Sequence, residues 1–92
     1  MTASASFLHM RGRVLEAIAA NPAVGPSSPE MRARMLDPAG DCSLEELGFD
    51  SLALMEFCIF FETEYGIAVT SGEIEGRPSI NALARWLADT AA

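Results

Sequence analysis

Residues 44–65 read LEELGFDSLALMEFCIFFETEY, and they contain the strongest helical pattern of the chain. From Ser51 onward, apolar residues recur at the i, i+3, i+4, i+7 spacing that places them on one helix face. The residues of this face are Leu54, Phe57, Cys58, Phe61 and Tyr65. Gly66 follows and is a common helix stop. The pattern predicts a helix over residues 51–65 at the centre of the core.

Three further segments have helical patterns. An amphipathic helix is predicted over about residues 5–20, because apolar residues recur at helical spacing until Asn21-Pro22 stops them. Residues 70–73 have the spacing of a capping box, and the glycine and proline that follow leave room for a very short helix only. Ser79 is suited to cap a last helix. The inward face of that helix is predicted to be Ile80, Leu83, Ala84 and Leu87.

Residues 21–49 form a long, proline-rich connection between the first and the central helix. Ser28-Pro29-Glu30 has an N-cap followed by proline at the first helical position, which predicts one short turn before Asp37-Pro38. Residues 43–46 again have capping-box spacing, so we expect this loop to be anchored on the core. The predicted fold is all-α, a four-helix bundle with three main helices, one short third helix and a long first loop.

The composition predicts a single domain over residues 1–92, since 92 residues cannot hold two cores. Thirteen acidic residues and six arginines give a net charge of -7, which argues against nucleic acid or an anionic membrane as partner. We find no apolar run near the ~20 residues of a membrane span and no secretory signal, and we expect a cytoplasmic monomer. Cys42 and Cys58 form no metal-ligand pattern, so we predict reduced thiols and no metal site.

The motif Leu44-x-x-Leu47-Gly48-x-Asp50-Ser51-Leu52 opens the predicted central helix. On this motif, and on the order of the helices over nearly the whole chain, the sequence resembles the acyl and peptidyl carrier protein family. The resemblance implies that Ser51 carries a covalent 4′-phosphopantetheine arm. It also implies that a phosphopantetheinyl transferase attaches the arm from coenzyme A with magnesium, and that Asp50 contributes to recognition by that enzyme.

A serine at a helix N-terminus suits this role, because free amides and the positive end of the helix dipole favour a phosphodiester there by about 0.3–1 kcal/mol. The dipole cannot activate the serine. The alternative is that Asp50-Ser51 is only an N-cap, although the two roles can coexist at one residue. For the carrier, Ser51→Ala is expected to abolish loading and to cost only about 0.5–2 kcal/mol of cap stability. A simple cap does not require the leucines and glycine that surround this pair.

Leu52, Met55 and Ile59 are predicted to project away from the buried face and to form an apolar strip beside Ser51. Glu56 and Glu62 lie near it and could steer basic partner enzymes. The expected partners are the transferase, an acyl- or aminoacyl-activating ligase and a downstream acceptor enzyme. An ordinary solvated helix face is the alternative interpretation of these residues.

The cargo stays open at this point. Ala53 occupies a position that is commonly acidic in the resembled family, which argues against standard fatty-acid partners. The long first loop is similar to that of the stand-alone aminoacyl carrier proteins, which dedicated ligases load. Two other functions remain: an unmodified helical interaction module, or a small hydrolase. The hydrolase is disfavoured because His9 is the only histidine and no G-x-S-x-G turn is present, so no catalytic residue is predicted.

Overall fold

The computed structural model describes residues 5–91, which fold into five helices. These are α1 (Ala5–Ala19), α2 (Pro29–Leu36), α3 (Ser51–Tyr65), α4 (Ser71–Glu75) and α5 (Ile80–Ala91). The described residues contain no strand, only an isolated antiparallel bridge between Ser43 and Ser79. The all-α prediction is confirmed.

The central helix α3 begins and ends where the sequence predicted. Its side chains Phe57 and Phe61 are fully buried and stack on each other with ring centroids 4.8 Å apart. Gly66 ends the helix in the left-handed region, with φ of 68°. The buried residues that surround the two rings come from α1, α4 and α5 and include Val14, Ile74, Ile80, Leu83 and Leu87. Because the other helices pack around α3, the position of its first residue, Ser51, is fixed by the core.

The two C-terminal helices also follow the sequence prediction. Thr70 and Glu73 form a complete capping box at the start of α4. The Ser79 hydroxyl accepts a hydrogen bond from the Ala82 amide at 3.1 Å and so caps α5. The predicted inward face of α5 is buried, and α5 makes its most extensive helix contact with α1.

The long first loop differs from the prediction, because it contains a helix of eight residues instead of one short turn. The Ser28 hydroxyl caps this helix, α2, by accepting from the Met31 amide at 3.2 Å. Leu36, the last residue of this helix, is 80% exposed. The bundle therefore has a fourth helix of more than one turn in addition to the three main ones and the short α4.

Arg11 holds the C-terminal end of α2, although the helical pattern of α1 did not single it out. Its side chain is 4% exposed and is surrounded by acceptors. The guanidinium donates to Asn81 Oδ1 at 2.8 Å and to the carbonyls of Met35, Asp37, Gly40 and Arg34 at 2.8, 2.9, 3.1 and 3.3 Å. Unpaired carbonyls at a helix C-terminus carry partial negative charge, which compensates a buried cation.

Candidate functional site

The turn over residues 43–49 fixes the chain just before Ser51. Leu44 and Leu47 are both 6% exposed and anchor the turn in the core. The Leu44 amide donates to the Pro78 carbonyl at 2.9 Å, which ties the turn to the start of α5. Gly48 has a φ of 82°, a conformation that favours glycine. The backbone conformation therefore explains why the motif has glycine at this position.

Asp50, and not Ser51, is the N-cap of α3. Its carboxylate accepts a hydrogen bond from the Ala53 amide at 2.9 Å. Ser51 is the first helical residue, and no described residue hydrogen bonds to its hydroxyl. The expectation that Ser51→Ala removes a cap is therefore wrong, because the capping oxygen belongs to the preceding residue.

Ser51 is exposed at the N-terminal end of α3, a helix packed into the core, so a group attached to its hydroxyl would extend into solvent. The backbone amides of Ser51 and Leu52 have no acceptor among the described residues. They belong to the first turn of α3, where free amides and the helix dipole favour an anion. The residues present thus fit a phosphodiester on Ser51: the hydroxyl is accessible and two donors lie in the same turn.

A groove of about 360 Å³ runs beside Ser51 between α3 and the start of α4. Its apolar walls are Leu54, Met55, Cys58 and Val69. Burial raises the pKa of the Cys58 thiol, and the charge of Glu73 raises it further. Cys58 therefore stays a neutral thiol and acts as a small apolar wall of the groove.

The predicted partner strip is exposed, as expected. Leu52, Met55 and Ile59 are 49%, 52% and 53% exposed, while the opposite side of α3 is buried. Glu62 is exposed and Glu56 half-buried, and α3 contains no basic residue. The strip thus begins beside Ser51 and runs along an acidic helix. We call these three apolar residues the α3 strip.

Ala53, which stands where the resembled family commonly has an acidic residue, is held by a contact that the sequence pattern did not predict. Ala53 is fully buried, and its carbonyl accepts a hydrogen bond from the side-chain amide of Asn21 at 2.8 Å. Asn21 is itself 5% exposed. An acidic side chain at position 53 would be buried here, so alanine is a packing requirement of this chain and carries no information about the cargo. The Asn21-Pro22 pair signalled the helix end but not this contact.

Both cysteines are free, and Cys42 is buried although its neighbours in the sequence are polar. Burial raises the pKa of its thiol. His9 is exposed on α1. Over residues 5–91, no group of side chains could hold a metal ion. No helix in the same range has the length and apolar character that a bilayer crossing demands.

The profile of a family described as the phosphopantetheine attachment site matches residues 33–87, which include α3, α4 and the motif around Ser51. The granaticin polyketide synthase acyl carrier protein of Streptomyces violaceoruber is 53% identical over 34 residues, which cover 37% of this chain and 40% of that protein. No solved structure matches the chain significantly.

That profile covers more than half of the chain, and it includes the part of the fold that holds an exposed serine at the start of α3. The family carries its prosthetic group, 4′-phosphopantetheine, as a covalent attachment. The chain therefore belongs to the family of carrier proteins with a phosphopantetheine attachment site.

Proposed function

We propose that Ser51 is the attachment point, and that the chain carries an acyl or aminoacyl group between partner enzymes in the cytoplasm as a monomer. The observation that carries this proposal is the position of Ser51: it is exposed, first in α3, and free of side-chain hydrogen bonds, while the turn before it is locked into the core. When bound, the arm supplies a thiol that holds the cargo as a thioester. The protein itself contributes position and recognition, and no catalytic residue is assigned.

Mass spectrometry of the intact protein tests the attachment point. The wild type, Ser51→Ala and Ser71→Ala are incubated with coenzyme A, magnesium and a phosphopantetheinyl transferase of broad specificity. Ser71 is the matched control, because it is an exposed first residue of α4 and lines the same groove. We expect one phosphopantetheinyl addition in the wild type and in Ser71→Ala, and none in Ser51→Ala. Modification of folded Ser51→Ala would remove Ser51 from the proposal.

We further propose that partner enzymes dock on the α3 strip, with Glu56 and Glu62 steering their basic surfaces. Half-exposed Leu52, Met55 and Ile59 offer apolar area beside the arm, and the charge of α3 is entirely negative. The partners are the transferase, an activating ligase and an acceptor enzyme, and a small interface suits transient handover between them.

Transferase kinetics with limiting carrier test the docking strip. Ile59→Ala removes one of its apolar residues without touching the serine. Leu36→Ala is the control, because Leu36 is more exposed but lies on α2. We expect a lower kcat/KM for Ile59→Ala by about three- to tenfold, as for an interface residue worth around 1 kcal/mol, and no change for Leu36→Ala. Equal effects of the two substitutions would contradict docking on α3.

The recognition role proposed for Asp50 must be separated from its capping role. Asparagine caps about as well as aspartate, so Asp50→Asn keeps the hydrogen bond to the Ala53 amide and removes only the charge. We expect slower modification of this variant at unchanged stability. Unchanged modification would leave Asp50 with the structural role alone.

The cargo is proposed as acyl, with an aminoacyl group as the alternative. The similarity to an acyl carrier protein of a polyketide synthase supports the acyl cargo, and the resemblance of the long first loop to that of aminoacyl carriers supports the alternative. Incubation of the modified protein with acyl-activating and amino-acid-activating ligases distinguishes them by the mass of the thioester formed. Stable loading by an amino-acid ligase alone would overturn the acyl cargo.

A further inference from the structure

A second pocket, of about 390 Å³, lies between α1 and α2. Its walls include Leu15 and Ile18 of α1, Val24 of the loop, and Met35 and Leu36 of α2. The volume lies in the range of roughly 300–1,000 Å³ that is usual for small-molecule sites. The pocket shares no lining residue with the groove beside Ser51 or with the α3 strip, so it is a separate feature of the surface.

The pocket has apolar surface that is exposed to water and that a ligand could cover. Leu36 lines it and is 80% exposed, the largest exposure among the large apolar side chains of the described residues. An exposed apolar patch around a concavity is typical of a binding site, whereas single apolar side chains scattered over a surface are not. This favours a ligand with an aliphatic or aromatic body.

Arg32 gives the pocket a positive charge, and its guanidinium has no hydrogen-bond, ion-pair or aromatic partner among the described residues. It is the only charged residue of the lining. Among the six arginines, three donate side-chain hydrogen bonds and two more stack on aromatic rings, whereas Arg32 has no such partner within residues 5–91. In a chain of net charge -7, a free guanidinium beside an apolar pocket is complementary to a carboxylate.

The pocket is also formed before any ligand binds. Arg11 fixes the C-terminal end of α2 through its hydrogen bonds to the carbonyls of that segment. Arg34, on the same helix, pairs with Glu46 at 2.8 Å. Since the wall supplied by α2 is already held in place, a ligand would not have to order it, which lowers the cost of binding.

We propose that the pocket between α1 and α2 binds a small apolar carboxylate, with the apolar chain against Leu15, Met35 and Leu36 and the carboxylate against Arg32. The site is independent of the arm on Ser51. It would let the carrier hold a free organic acid while the attachment face is engaged elsewhere.

Titration of the unmodified 92-residue chain with octanoate, 1-octanol and octylammonium, followed by amide and methyl NMR, tests the proposal. These probes share the chain and differ in head-group charge. We expect saturable binding of octanoate with shifts at Leu15, Val24 and Leu36, weaker binding of 1-octanol, and the weakest binding of octylammonium. Arg32→Gln should weaken octanoate binding about two- to fivefold, as for an exposed ion pair, and leave 1-octanol unchanged.

Two further variants make the result decisive. Ala19→Phe places a large side chain on an exposed lining position and should abolish binding of all three probes. Arg85→Gln removes an arginine outside the pocket and should change nothing. The proposal is overturned if octanoate does not saturate, if the folded Ala19→Phe protein binds it as the wild type does, or if the shifts fall on the α3 strip instead.

Discussion

The assignment of Asp50 as the cap of α3 makes a quantitative prediction for two adjacent substitutions. Asp50→Ala removes the oxygen that accepts from the Ala53 amide at 2.9 Å and leaves that first-turn donor without its partner. Loss of an N-cap costs typically ~1 kcal/mol. For a domain of this size, that corresponds to a decrease in Tm of about 4–8 °C.

Ser51→Ala should behave differently, although it changes the neighbouring residue. Ser51 is exposed, its hydroxyl has no hydrogen-bond partner in the described structure, and alanine is the better helix former. We expect a change in unfolding free energy within about 0.5 kcal/mol, in either direction. Asp50→Asn should also remain close to the wild type, because both residues cap well.

The assay is thermal and urea unfolding of the unmodified proteins, monitored by far-UV circular dichroism under identical buffer conditions. The expected order of stability places Asp50→Ala below the other three proteins, which lie together. If Ser51→Ala loses as much stability as Asp50→Ala, then Ser51 contributes to the cap and the argument from geometry is refuted. If neither loses stability, the first turn of α3 does not depend on a side-chain cap at all.

Three further predictions follow from the described contacts. Arg11→Met leaves carbonyls at the end of α2 without their donor and should lower the unfolding free energy in urea by about 2–4 kcal/mol; a loss under ~0.5 kcal/mol would contradict the buried network. The hydrogen bond from Arg34 lowers the pKa of Glu46 from 4.5 to about 2, so the stabilising pair is intact above pH 4.5 and is lost as the pH falls toward 2. In Glu46→Gln, the unfolding free energy should therefore fall less steeply between pH 4.5 and 2 than in the wild type. The same pH dependence in both proteins would show that the exposed pair contributes no stability. Burial, and then the hydrogen bond to Glu16, raises the pKa of Tyr65 from 10.0 to about 12. The corresponding stability is complete below pH 10 and is lost as the pH rises through 12. Because Tyr65 is the only tyrosine, its phenolate absorbance should titrate near 12 in the folded protein, and a midpoint near 10 would contradict the contact.

The local patterns of the chain predicted most of the fold. The boundaries of α3 follow from its apolar spacing and from Gly66, and the caps at Thr70 and Ser79 follow from residue types at fixed separations. These features depend on contacts within a few residues, so the sequence contains all the information they need. The motif that leads to Ser51 is of the same kind, because its leucines, glycine and aspartate lie at fixed separations within residues 44–52.

Tertiary contacts decided the features that local patterns could not reveal. Arg11 lies 24 residues or more from the carbonyls of Met35, Asp37 and Gly40 that it holds, and nothing near it in the sequence marks it as buried. The arginine that holds the C-terminal end of α2 therefore could not be predicted from local patterns.

The difference between local and long-range contacts also explains which features of the candidate site could be predicted. The sequence alone determined that Ser51 begins the central helix and that an apolar strip runs beside it. Asp50 and Ser51 were both candidates for the cap, and the structure identifies Asp50 by its bond from the Ala53 amide. Only the tertiary structure decided that Ala53 is buried against Asn21, 32 residues away. Helix start signals are local, whereas the side of the first turn that is buried depends on the distant segment packed against it.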